Sequence, residues 1–220
     1  MITANVWERV VRIQCGAAIG TGFTLDYEGS QYLVTARHVV DGPHPPEVRV
    51  RGNPIPVDLS RLTISVVEAD VAVFRVNHPI TEDLSLPATM DGIVFGQDCY
   101  FLGFPWGLTF DVGSTESFPL VKRATVSGIN HHVHNRPVLL LDGWNNPGFS
   151  GGPVVFRPPT SLGMQEPWRV CGVVTAYRTE PSPLMIGGKE LLDAQVLLNS
   201  GIIIVEEITR AIEAITAHPI

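Results

Sequence analysis

One hydroxyl is conspicuous for how little side chain surrounds it. Ser150 lies in NNPGFSGGP, Asn145 to Pro153, with one glycine two places before it and two directly after it. Two explanations compete. Gly, Pro, Asn and Ser are the ordinary residues of a tight surface turn. The same glycines also permit backbone conformations closed to other residues, let a substrate approach, and leave backbone N–H groups free to face an anion. A serine hydroxyl is a weak nucleophile at its own pKa. The chemical explanation therefore demands a base, and the base demands an orienting carboxylate.

The chain offers both. His38 follows YLVTA, a run expected to be a buried strand, and precedes two valines. Taken alone, a satisfied core histidine is the simpler explanation. Asp70 opens the apolar, β-branched run DVAVF, where a buried charge is costly unless paired, and a histidine is a suitable partner. Asp41, in a Gly-Pro turn, and Glu68, explained by a solvent-facing position, are the competing carboxylates. Three separate stretches thus each supply one member of a His–Asp–Ser set.

The elements that must hold these residues are short strands. WERVVRIQC, TGFTLDY, QYLVTARHVV, EVRVRG and DVAVFRV in the first half alternate or are compactly apolar, as strands are. NHPITEDLSLPATMDG reads as a connector. DCYFLGFP, FPLVKRATVSGIN, RPVLLLDG, GPVVFR, WRVCGVVTAY and AQVLLNSGIIIV repeat the style, with RPPTSLGMQEP and TEPSPLMIGG as Pro-rich links. VEEITRAIEAITAH changes period: Val205, Ile208, Ile212 and Ile215 fall at helical spacing, with acids early and His218 late. An all-β chain closed by one C-terminal helix is expected, as two barrels or a sandwich.

Composition bounds the function. Of 220 residues, 45% are hydrophobic and 17% charged, enough for a real core. The formal net charge is -7 with no basic stripe, which disfavours nucleic acid and anionic membrane as partners. The N-terminus lacks a signal-peptide pattern and no apolar run reaches membrane-span length. Cys15, Cys99 and Cys171, an odd and sparse set in apolar contexts, read as buried thiols in a reducing, cytoplasmic setting. HHVH, with His131, His132 and His134, lacks helical ligand spacing and a completing carboxylate or cysteine, so a solvated hairpin tip is expected and no metal. Trp7, Trp106 and Trp168 are expected in core or barrel-edge packing.

Taken together, the motifs resemble the trypsin-like serine proteases, and most the bacterial high-temperature-requirement (Deg-type) branch. TARHVV is similar to that family's histidine motif, EADVAVFRV to its aspartate motif, and NNPGFSGGPVV to the segment around its nucleophile. IGTGFTLD, FLGFPWGL, TVSGI and VCGVVTAY resemble segments between them, so the likeness spans roughly the whole chain. It implies two perpendicular β-barrels (about 1–85 and about 90–205) and a C-terminal helix (about 204–217). His38 would be the base, Asp70 its orienting partner and Ser150 the nucleophile. The backbone N–H groups of Gly148 and Ser150 would form an oxyanion hole.

The same resemblance places the specificity pocket at Trp144, Val174, Thr175 and Ala176, with Tyr177 where a glycine often allows substrate pairing. No acid lies at the pocket floor, so a small or aliphatic residue before the cut is expected rather than Lys or Arg. Phe149 replaces the family's Asp or Asn and is expected to pack apolarly behind the loop, with no activation by a freshly cut N-terminus. Arg37 replaces the usual small residue before the histidine. No PDZ domain is expected within the 220 residues. A polypeptide substrate, no cofactor and a regulatory protein partner are the further expectations. The rival is a catalytically silent, partner-binding protein of the same fold, its pocket blocked by Trp144 or Tyr177. An esterase built on a G-x-S-x-G elbow fits the loop and the strand-rich layout less well.

Overall fold

The computed structural model describes residues 1–57, 62–63, 69–82, 85–111, 116–130, 136–159 and 166–217, with residues 62–63 and 192–193 described by their backbone alone. Glu68, the three histidines of HHVH and His218 lie outside the described residues.

A short helix, α1 (Ala4–Trp7), precedes β1 (Val10–Cys15), β2 (Ala18–Tyr27) and β3 (Ser30–Thr35). A single helical turn, α2 (Arg37–Val40), leads to β4 (Glu47–Val50), β5 (Asn53–Ile55), β6 (Leu62–Thr63) and β7 (Ala72–Arg75). These strands form one antiparallel sheet in the order β5-β4-β1-β2-β3-β7-β6. Its central strands are covered on both faces. Leu33 and Phe74 enter one apolar cluster with Val11 and Ile13, whereas Val34 and Val73 enter another with Phe23 and Leu102. Burial on both faces is why YLV and VAVF carry no polar alternation.

The second half opens with β8 (Asp98–Gly103), a two-stranded β9 (Phe110–Asp111) and β10 (Ser117–Phe118), then β11 (Leu120–Asn130) and β12 (Val138–Asp142). β13 (Pro153–Phe156), β14 (Arg169–Ile186), β15 (Lys189–Glu207) and α3 (Thr209–Thr216) complete it. β11-β12-β15-β14-β13-β8 close into a barrel filled by Cys99, Phe101, Leu139, Leu141, Phe156 and Ile203. α3 lays Ala211, Ala214 and Ile215 on a core that contains residues of both halves.

Three expectations change. TEPSPLMIGG is not a link: Thr179 to Ile186 continue β14 and pair with β15 as a ribbon extending past the barrel. Pro181 and Pro183 fit there because, among the described residues, this part of β14 has β15 alone as a partner, leaving an edge where no N–H is needed. Val205 belongs to β15, pointing into the barrel, and the helix begins at Thr209. Trp106 does not pack: its side chain is exposed on a Pro105–Gly107 turn, where φ is +51°.

Candidate active site

Sheet register brings the histidine to the aspartate. Thr35 pairs with Ala72, antiparallel. Two residues beyond each strand end, Arg37 N–H donates to the Asp70 carbonyl at 3.3 Å. α2 then turns His38 back over Asp70. One carboxylate oxygen accepts the His38 backbone N–H at 3.0 Å, and the other lies 2.6 Å from His38 Nδ1. The imidazole is half exposed and its Nε2 edge faces away from this clamp. Asp41, the competing carboxylate, instead lies 3.4 Å from the Arg37 guanidinium at the surface. Arg37 therefore reaches an acidic neighbour and leaves the histidine alone.

Ser150 sits in the loop between β12 and β13, and backbone contacts dock that loop onto the first-half sheet. Thr21 N–H donates to Ser150 O at 2.8 Å. Gly151 (φ +86°) is so close that a Cβ would lie 2.0 Å from Thr21 O and 2.9 Å from Ala36 N. Ala36 is two residues from His38, so only glycine lets the serine loop reach the histidine's strand end. From the other side, Gly151 N–H donates to Val174 O at 2.7 Å, and Val174 N–H to Gly152 O at 2.9 Å. No hydrogen bond joins Ser150 Oγ to His38 among the described residues.

Every carbonyl of residues 147–150 has a donor. Pro147 O accepts from Trp106 N–H at 2.9 Å, Gly148 O from Thr21 Oγ1 at 2.6 Å, Phe149 O from Gly152 N–H at 2.9 Å, and Ser150 O from Thr21 N–H. All peptides are trans, so each N–H points opposite to its peptide's carbonyl. The Gly148 and Ser150 N–H groups therefore point away from Trp106 and Gly152, and neither donates to a described group. Gly148 has φ +104°, and a Cβ there would lie 2.3 Å from Phe104 O.

Behind the loop, Phe149 is fully buried with its ring 4.8 Å from that of Phe101. It packs apolarly, as expected of a residue replacing a charge. Lys122 Nζ stands 5.7 Å from the Phe149 ring, bonds Asn146 Oδ1 at 3.0 Å and also reaches Trp144 O. Burial lowers its pKa. Neither Lys122 nor Thr21 is singled out by sequence; Thr21's only signal is its place between two glycines in IGTGF.

The residues expected at the pocket divide. Trp144 is 56% exposed and fills no enclosed space. Val174 is fully buried in the barrel core with both backbone groups holding the serine loop. Thr175 is buried, its hydroxyl 3.3 Å from Ile204 O, while Ala176 and Tyr177 are half-buried. Ala176 O accepts from Asn145 Nδ2 at 3.5 Å, tying this strand to the loop. No group of His, Cys, Asp and Glu suited to a metal occurs among the described residues, and no described helix is long and apolar enough to cross a membrane.

The sequence matches the family model of the trypsin-like peptidase domain over residues 20–157. The chain is 28% identical over 147 residues to the magnetosome formation protease MamE of Paramagnetospirillum magneticum, covering 66% of this chain but only 19% of MamE. Among solved structures, the HtrA-type protease AlgW with tripeptide superposes with a TM-score of 0.65 at 23% identity, over 96% of this chain and 60% of that one. The active form of the Rv3671c protease from M. tuberculosis superposes with a TM-score of 0.62 at 19% identity, over 97% of this chain and 82% of that one. The fold is thus the chymotrypsin-like one of these proteases, and the family-model match over more than half of its length makes the chain a member of the trypsin-like peptidase domain family, a serine protease.

Proposed function

We propose that the chain is a serine endopeptidase using His38, Asp70 and Ser150 through an acyl-enzyme. The observation that carries this is the double grip of Asp70 on His38, at the backbone N–H and at Nδ1. A proton held on Nδ1 by the carboxylate leaves Nε2 bare to accept one. In the proposed cycle Ser150 Oγ attacks the peptide carbonyl carbon and its proton passes to His38 Nε2. The C–N bond then breaks, and Nε2 returns the proton to the leaving amine. Water repeats the sequence on the acyl ester and frees Ser150. Asp70 stabilises the imidazolium formed in each half.

The negative oxygen of each tetrahedral intermediate would be met by the Gly148 and Ser150 N–H groups, two donors with no partner among the described residues, in a stretch where the carbonyls of residues 147–150 are all engaged. Such donors act because they are aimed before the charge develops, each worth about 2.7–4 kcal/mol of transition-state stabilisation. The residues the resemblance assigns to the pocket, Ala176 and Tyr177 among them, carry no charge, which favours a small or aliphatic residue before the cut. The exposure of Trp144 speaks against a site plugged by that side chain. Three free, buried cysteines suit a reducing, cytoplasmic setting, in which a regulatory partner would limit cutting.

Intact mass after treatment with a fluorophosphonate tests the assignment. One adduct on the wild type, absent from Ser150→Ala and His38→Ala, is expected. A folded wild type that takes no adduct sinks it.

A further inference from the structure

We propose that the Thr21 hydroxyl is a positioning group for the oxyanion site, so that the first half of the fold supplies the site's geometry as well as His38 and Asp70. The inference rests on the serine-endopeptidase assignment above. Thr21 lies on β2 and is fully buried. Its hydroxyl donates to Gly148 O at 2.6 Å and accepts from Phe104 N–H at 3.1 Å. Its own N–H donates to Ser150 O at 2.8 Å, and its own carbonyl accepts from Thr35 Oγ1 at 2.7 Å. One residue thus grips the carbonyls on both sides of Phe149, in a loop belonging to the other half.

The hydroxyl's bonds are directional. Its single proton goes to Gly148 O, and a lone pair receives Phe104 N–H. Phe104 in turn begins the turn whose Trp106 N–H holds Pro147 O. The two peptides flanking Gly148 are therefore fixed from one network: Pro147 O by the turn, Gly148 O by Thr21. A glycine has no side chain to resist rotation of these peptides. Release Gly148 O, and ψ at Gly148 is no longer fixed, so the Gly148–Phe149 peptide between the two N–H donors can rotate and their shared aim is lost. The surroundings leave little room for a substitute. A Cβ at Gly103 would lie 2.6 Å from Thr21 Oγ1. Serine keeps the hydroxyl, whereas alanine and valine remove it, and valine puts a methyl group where Gly148 O needs a donor.

The test compares fluorophosphonate inactivation of wild type, Thr21→Ser, Thr21→Ala and Thr21→Val at saturating reagent, at a fixed interval below each variant's unfolding midpoint. The expected result is a fall in the maximal inactivation rate on the order of ten- to a hundred-fold in Thr21→Ala and Thr21→Val, with the reagent's half-saturation concentration little changed. Thr21→Ser should react close to the wild-type rate. If alanine fails to fold, valine preserves the side-chain volume and carries the comparison. Equal rates in wild type and both hydroxyl-free variants overturn the inference alone. So does a loss shared by Thr21→Ser, or one accounted for by the unfolded fraction. An unreactive wild type overturns the endopeptidase assignment and this inference with it.

Discussion

At the scale of single residues, the site depends on a few donors and on glycines of the serine loop, Gly148, Gly151 and Gly152, where no side chain fits. Asp70 holds His38 through both carboxylate oxygens. Asp70→Asn keeps the shape but presents an amide N–H₂ or a neutral oxygen to Nδ1, favouring the wrong tautomer. A fall in kcat on the order of 10⁴-fold is expected, measured on a fluorogenic peptide, with the fold intact by circular dichroism. Gly151→Ala forces a Cβ against Thr21 O and Thr35 Oγ1, at 2.0 and 2.2 Å, at a backbone φ of +86°. The serine loop must then back away from β2, and labelling of Ser150 should be lost together with thermal stability.

Cys99 makes a separate, pH-dependent prediction. Burial, aided by Asp98, pushes its thiol pKa up to about 12, against 9.0 for the ordinary thiol. The unfolded chain therefore gives up this proton near pH 9 while the native protein keeps it. The associated stability is complete below that pH and is lost as pH rises toward 12. Denaturant midpoints from pH 8 to 11 should fall, and fall less steeply in Cys99→Ala. A buried, protonated thiol is also a poor nucleophile, so native Cys99 should resist alkylation at pH 8.

At the scale of elements, two features separate the barrel from what hangs on it. Arg136, just before β12, forms a bidentate ion pair with Glu206 of β15, and Glu206 is 1% exposed. Removing one partner strands a buried charge. Arg136→Ala should cost about 3–5 kcal/mol in urea unfolding. The ribbon of β14 and β15 beyond Thr179 and Asn199 behaves differently. It exposes Met185, Ile186, Leu197 and Leu198 and contributes nothing to the described apolar clusters. Replacing residues 180–198 by an Asn-Gly turn should shift stability by no more than about 0.5 kcal/mol, as for other surface changes. Asn199 must be kept, because its side chain donates to Asn145 O at 2.7 Å at the root of the serine loop.

For the molecule as a whole, the two halves share a core. Val10, Phe23 and Val34 of the first sheet, Leu102, Val155 and Val173 of the barrel, and Ile208 and Ala211 near the C-terminus form one buried cluster. The halves should therefore melt together, as a single calorimetric transition. Leu102→Ala, which hollows this shared cluster, should cost about 2–5 kcal/mol and leave the transition single. Two separated transitions would show that the halves fold independently.

The sequence by itself determined the class of the fold and the family, and it nominated the residues proposed for the chemistry. Local chemistry is written locally: the glycines around Ser150, the apolar run entered by Asp70 and the buried strand just before His38 are each legible in a few residues. Period-2 and buried-run patterns likewise marked β1, β2, β3 and β7. Tertiary structure decided what depends on contacts between distant segments. It chose Asp70 over Asp41 through the register of β3 and β7. It gave Thr21 its place, since a threonine's partners 127 residues away leave no trace in its neighbours. It turned a proline-rich segment into a strand, because whether proline is tolerated depends on an unpaired edge rather than on local preference. It moved Val205 from helix to barrel, because one residue's spacing fits both periods until the packing partner is known.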